Sequence, residues 1–131
     1  MKFFMAMNPP TATHQQKQVR VVKGKPRFYE PENVVNAREK LKAHLAKHRP
    51  AAKLDGPIQL VTKWLFPITA KHLNGQYKTT RPDTDNLQKL LKDVMTDLGF
   101  WNDDAQVASE IAEKFWAEKT GIYIEIHQLP E

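Results

Sequence analysis

Leu87, Leu90, Leu91, Val94, Met95 and Leu98 recur at i, i+3, i+4, i+7, i+8 and i+11, one apolar stripe that predicts an amphipathic helix. Asp85 and Gln88 have the spacing of a capping-box pair at its start, and Gly99 is placed to end it in the left-handed conformation. Asp85, Lys89, Lys92 and Asp93 fall off the stripe, so a carboxylate and a lysine at i and i+4 look outward together. A weaker stripe of Val34, Ala37, Leu41 and Leu45 predicts an earlier helix, opened by Pro31-Glu32 and closed by Pro50. On it His44 and His48 are four apart, half of a zinc pattern, but no third ligand stands nearby and both read as solvated helix surface.

Alternation takes over elsewhere. Ile58, Leu60, Thr62, Trp64 and Phe66 face one way along a strand opened by the turn Asp55-Gly56-Pro57. Val107 to Glu118 and Ile122 to His127 read as two strands around Lys119-Thr120-Gly121, with Ile122, Ile124 and Ile126 on one side. The apolar run from Lys2 to Met7 reads as a first strand, ended by Asn8-Pro9-Pro10, and has no cleavage site that would make it a signal peptide. Val19 to Val22, Lys23-Gly24 and Arg27-Phe28-Tyr29 read as a small basic hairpin. Residues 67–81 form a long irregular segment, a length that in a small domain usually signals function or mobility. The order strand, hairpin, helix, strand, helix, strand, strand gives an α+β fold, a mixed or antiparallel sheet covered by two main helices. At 131 residues the chain is read as one domain spanning 1–131.

Composition narrows the function. Without cysteine there is no disulfide framework and no thiolate chemistry, which suits a reducing cytoplasm, and no apolar run is long enough to span a membrane. The net charge of +5 conceals an asymmetry: residues 1–81 hold sixteen Lys/Arg against four Asp/Glu, and residues 82–131 hold four against eleven. A basic half of this kind matches a polyanion. Lys17, Arg20, Lys23, Lys25 and Arg27, interleaved with Phe28 and Tyr29, mix cations and rings as DNA-binding loops do, and Lys71, Lys78 and Arg81 add charge suited to phosphate contact.

The acidic half holds the candidate chemistry. Asp83 and Asp85 flank Thr84 after Pro82, where extended backbone would point both carboxylates the same way. Their repulsion costs free energy unless a cation offsets it. Counted from Asp83, Leu87, Gln88 and Val94 occupy positions where a calcium loop needs a ligand, a glycine and a glutamate, so that reading fails. Asp103-Asp104 supplies the next carboxylates. Asp104 can rejoin Asp83 and Asp85 only by a nearly straight return along a helix roughly 20 Å long, or else it meets a partner's pair across a dimer axis.

Arg81-Pro82-Asp83-Thr84-Asp85-Asn86-Leu87-Gln88-Lys89, followed by Gly99-Phe100-Trp101-Asn102-Asp103-Asp104-Ala105-Gln106-Val107, resembles the signature of RusA-type Holliday-junction resolvases, often encoded by phages and prophages. The Pro9-Pro10 loop and a terminal hairpin fit the same family. The resemblance implies that Asp83, Asp85 and Asp104 are catalytic carboxylates binding Mg²⁺, with Mn²⁺ as a substitute, and that Lys89 is a catalytic lysine near the scissile phosphate. It implies an intertwined homodimer acting on four-way DNA in recombination and repair. Pro82 stands where some members carry a basic residue, a contact that Lys78 or Arg81 could replace. A nuclease for other branched DNA and a non-catalytic basic DNA-binding protein are the competing classes.

Overall fold

The computed structural model describes residues 1–13, 18–22, 24–29 and 31–131, with side chains described outside 18–22 and 25–29. The elements follow the predicted order: β1 (Lys2–Met5), β2 (Gln18–Val22), β3 (Lys25–Tyr29), α1 (Glu32–Leu45), β4 (Ile58–Pro67), α2 (Thr84–Leu98), β5 (Val107–Ala117) and β6 (Gly121–Gln128). Four strands form one sheet in the order β1-β6-β4-β5, and β2 pairs with β3 in a separate ribbon. The fold is α+β with a mixed sheet.

β4 is one of the two interior strands. Every second residue from Ile58 to Phe66 is buried on the same face, as the alternation predicted. It pairs antiparallel with β6 and parallel with β5. A parallel neighbour cannot be reached by a tight turn, so the chain crosses over through α2. This overturns the expected terminal hairpin: β5 and β6 are consecutive in sequence, yet β4 lies between them. Periodicity decides which face of a strand is buried; it carries no information on which strand lies beside it.

The buried faces of α1 (Val34, Leu41, Leu45) and α2 (Leu87, Leu90, Leu91, Val94, Met95) lie at the predicted spacings. Leu41, Leu45 and the α2 residues join Phe3, Met5, Trp64, Ile122, Ile124 and Ile126 in one core. His48 departs from the solvated-surface reading: it lies half-buried, its ring stacked 4.2 Å from that of Phe3.

Gly99 terminates α2 at φ 83°, and its N–H and that of Phe100 cap Thr96 and Met95 carbonyls. Phe100 and Trp101 then turn into the core, with Trp101 Nε1 donating to Thr96 Oγ1 at 2.8 Å. A bridge between Leu54 and Trp101 and a 3₁₀ turn at Asp104–Gln106 lead the chain back into β5.

Candidate active site at the start of α2

The start of α2 lies two residues earlier than its sequence suggests. Asp83, with φ −74° and ψ 148°, occupies the N-cap position, although its carboxylate makes no capping hydrogen bond. Asp85 is therefore inside the first turn, where a negative charge is favoured by the helix dipole. The expected Asp85–Gln88 capping box does not form, because Gln88 is turned inward. Its Oε1 accepts from Thr62 Oγ1 at 2.7 Å and Trp64 Nε1 at 2.9 Å, and its Nε2 donates to Glu110 Oε2 at 2.7 Å. A true capping box lies instead at Asp103 and Gln106.

Because Thr84 is already helical, Asp83 and Asp85 do not share a side as they would in extended backbone. Asp83 lines a cleft of about 560 Å³ with Arg81, Asn86, Asn33 and the Thr11–Thr13 segment. Asp85 lines a neighbouring cleft of about 420 Å³ with Lys89, Lys92 and Glu110. Both carboxylates are exposed, and among the described residues neither has a side-chain hydrogen bond or ion pair.

Lys89 donates to Asp93 Oδ1 at 2.9 Å and stays more than half exposed, leaving two ammonium N–H groups for a ligand. Its pKa is raised, first by the hydrogen bond and charge of Asp93 and, after a smaller opposing effect of burial, by the carboxylate of Asp104. The field of Asp104 thus reaches Lys89 within one chain, as the straight return along α2 allows. Among the described residues, however, no three His, Asp, Glu or Cys side chains converge as a complete metal-ligand set.

Two lysines fix the loop that delivers Asp83. Lys114, on β5, donates to the carbonyls of Thr80 at 2.7 Å and Pro82 at 2.8 Å. Lys78 departs from its expected role as a phosphate contact. It is buried against the rings of Trp116 and Phe66, 4.1 and 5.2 Å from their centroids, and its ammonium donates to Thr80 Oγ1. Burial, and then the Lys114 charge, lower its pKa. Arg81, by contrast, is exposed and lines the same cleft as Asp83.

The irregular segment before Asp83 is tied to the edge of β5. Gly75 donates to Trp116, Trp116 to Gln76 and Lys78 to Lys114 through backbone hydrogen bonds, and His72 stacks on Trp116 at 4.3 Å. Lys71 stays exposed on that segment. Lys17 and Lys23 lie outside the described residues. Arg20 and Arg27 occupy opposed positions of the β2–β3 ribbon, and Lys25 opens its second strand.

Glu110, Gln88 and Lys114 are absent from the sequence-derived site. Gln88 was detectable, since it precedes Leu91 by three and Met95 by seven and so borders the buried stripe. Glu110 and Lys114 were not, because their places depend on β5 lying parallel to β4.

The chain matches the family described as endodeoxyribonuclease RusA over residues 8–127. It is 37% identical to a crossover junction endodeoxyribonuclease rusA of Lactococcus phage r1t, across 98% of each chain. It is 28% identical over 95 residues to the uncharacterized protein YqaN of Bacillus subtilis (strain 168), covering 64% of this chain and 66% of that one. On this match, nearly end to end, the chain belongs to the RusA endodeoxyribonuclease family.

Proposed function

We propose that this protein is a Mg²⁺-dependent endonuclease that resolves four-way DNA junctions by paired, symmetric nicks, acting as a homodimer in recombination and repair. The observation that carries the reading is the cleft in which the Asp85 carboxylate, without a side-chain partner among the described residues, and the Lys89 ammonium, one helical turn apart, stand together in a chain of this family. Exposed carboxylates are hard oxygen donors, and Mg²⁺ is commonly held by one or two of them together with substrate phosphates. Asp83, Asp85 and Asp104 are donors of this kind; since among the described residues they do not converge as one set, one or two of them would hold Mg²⁺ together with the substrate phosphate. When bound there, the ion supplies Lewis-acid polarisation of the phosphate and a more acidic water.

The protein's own groups do the remaining work. Lys89, charged at neutral pH as any lysine is and raised further by Asp93 and then Asp104, places positive charge where the phosphate gains negative charge. Lys114 holds the Thr80 and Pro82 carbonyls and Lys78 the Thr80 hydroxyl, so Asp83 enters the site in a fixed position. Gln88 anchors the first turns of α2 to β4, which sets the outward direction of Asp85 and Lys89.

Two symmetric nicks require two sites related by a two-fold axis, which a homodimer provides. In support, the sheet face away from the helices carries exposed Ile111, and Tyr77 stacked on Phe115, surface that a second copy can cover. The whole chain, 1–131, is read as one such catalytic unit. The direct experiment compares a labelled four-way junction with linear duplex, in Mg²⁺ and in EDTA. Junction-specific paired nicks that need Mg²⁺ support the proposal, and equal cutting of duplex contradicts it.

A further inference from the structure

The cleft holding Asp83 continues past Arg81. It shares Thr11, Ala12 and Asn33 with a second depression of about 340 Å³, which lies between the Met7–Ala12 segment and the α1 residues Asn33, Asn36, Ala37 and Lys40. The two form one groove along α1 that opens onto Asp83. Asn33, Asn36 and Lys40 stand at i, i+3 and i+7, on one side of the helix, and all three are exposed. Among the described residues the carboxamides of Asn8, Asn33 and Asn36 have no hydrogen-bond partner in the protein.

The chemistry of this lining selects its occupant. A channel for phosphates alone would be lined by cations, and here the cations stand at the two ends, Arg81 beside Asp83 and Lys40 at the far side. Between them stand carboxamides, which present a donor and an acceptor side by side and match the edges of bases. Pro9, Pro10 and Ala37 add apolar surface against which base faces can lie. From Asn33 to Lys40 the helix rises about 10 Å, room for about three nucleotides at about 3.4 Å per step.

We propose that this groove takes the nucleotides on one flank of the phosphate cut beside Asp83, with Asn33 and Asn36 reading base edges and Arg81 and Lys40 holding phosphates. The inference rests on the nuclease reading and adds a determinant of where the cut falls. Alanine is favourable at exposed helix positions, so Asn33→Ala and Asn36→Ala leave α1 intact.

The test is cleavage mapping on four-way junctions whose core sequences are systematically varied. The unmodified protein is expected to cut some sequences much faster than others. Each Asn variant should lower the ratio of fastest to slowest sequence by about tenfold, the effect of losing one good base contact. Lys40→Ala should slow all sequences by a similar factor, as loss of a phosphate contact does. An unaltered sequence profile in both Asn variants, or a uniform slowing of every sequence, would overturn the groove assignment while leaving the nuclease intact. An unmodified protein that cuts no DNA would overturn the nuclease reading, and the groove with it.

Discussion

Gln88 owes its importance to where its amide is spent. Its oxygen accepts from two buried donors on β4 and its nitrogen holds Glu110 on β5, so one side chain joins the site-bearing helix to two strands. Gln88→Leu would leave Trp64 Nε1 without an acceptor beyond the Thr62 hydroxyl. The Thr62 hydroxyl would also lose its 2.7 Å acceptor and keep only the Ile111 carbonyl at 3.5 Å, so the variant should lose about 1–3 kcal/mol in chemical denaturation, the usual effect of a poorly satisfied buried polar group. Lys114 makes a different prediction. Lys114→Met removes both donors to the Thr80 and Pro82 carbonyls, and is expected to raise the Mg²⁺ concentration needed for half-maximal cleavage more than it lowers thermal stability. An equal loss of stability with an unshifted Mg²⁺ requirement would make the lysine merely structural. At this scale the outward placement of Asp85 and Lys89 was legible from helix phase. The sequence was silent on Lys114, which meets the site only after a crossover.

The same division holds for the elements. α2 was readable from six apolar positions and a terminal glycine, yet its first residue was misplaced because two aspartates compete for the cap and the Asp85–Gln88 spacing imitates a capping box. Gly99→Ala must place a side chain at φ 83°, where Lys53 at 3.5 Å is an ordinary neighbour, so the cost is conformational, about 1–2 kcal/mol by thermal unfolding. Gly121 poses a steric problem instead. A Cβ there would collide with the Phe4 ring and sit 2.6 Å from the Met5 carbonyl oxygen. Gly121→Ala should therefore loosen the β1–β6 pairing and cost about 3 kcal/mol, the upper end of overpacking effects. A stability unchanged by that substitution would contradict the close strand approach. Strand order escaped the sequence, since the parallel β4–β5 pair depends on how α2 packs its stripe across the sheet.

For the whole molecule, charge separates by sequence: the first 81 residues are strongly basic, and the acidic remainder carries the candidate site. Junction binding in EDTA should accordingly weaken steeply with salt, log K falling by about 0.9 per phosphate contacted for each unit of log salt concentration. No helix among the described residues is long and apolar enough to cross a membrane. The central claim is that the carboxylates at the start of α2 perform chemistry and do not merely cap a helix. Its most direct test is Asp83→Asn on a labelled four-way junction, with binding measured in EDTA and cleavage in Mg²⁺. The account predicts loss of the paired nicks with junction binding preserved or tightened, because a charge that repels phosphate has been removed. Undiminished cleavage by the folded variant would contradict it.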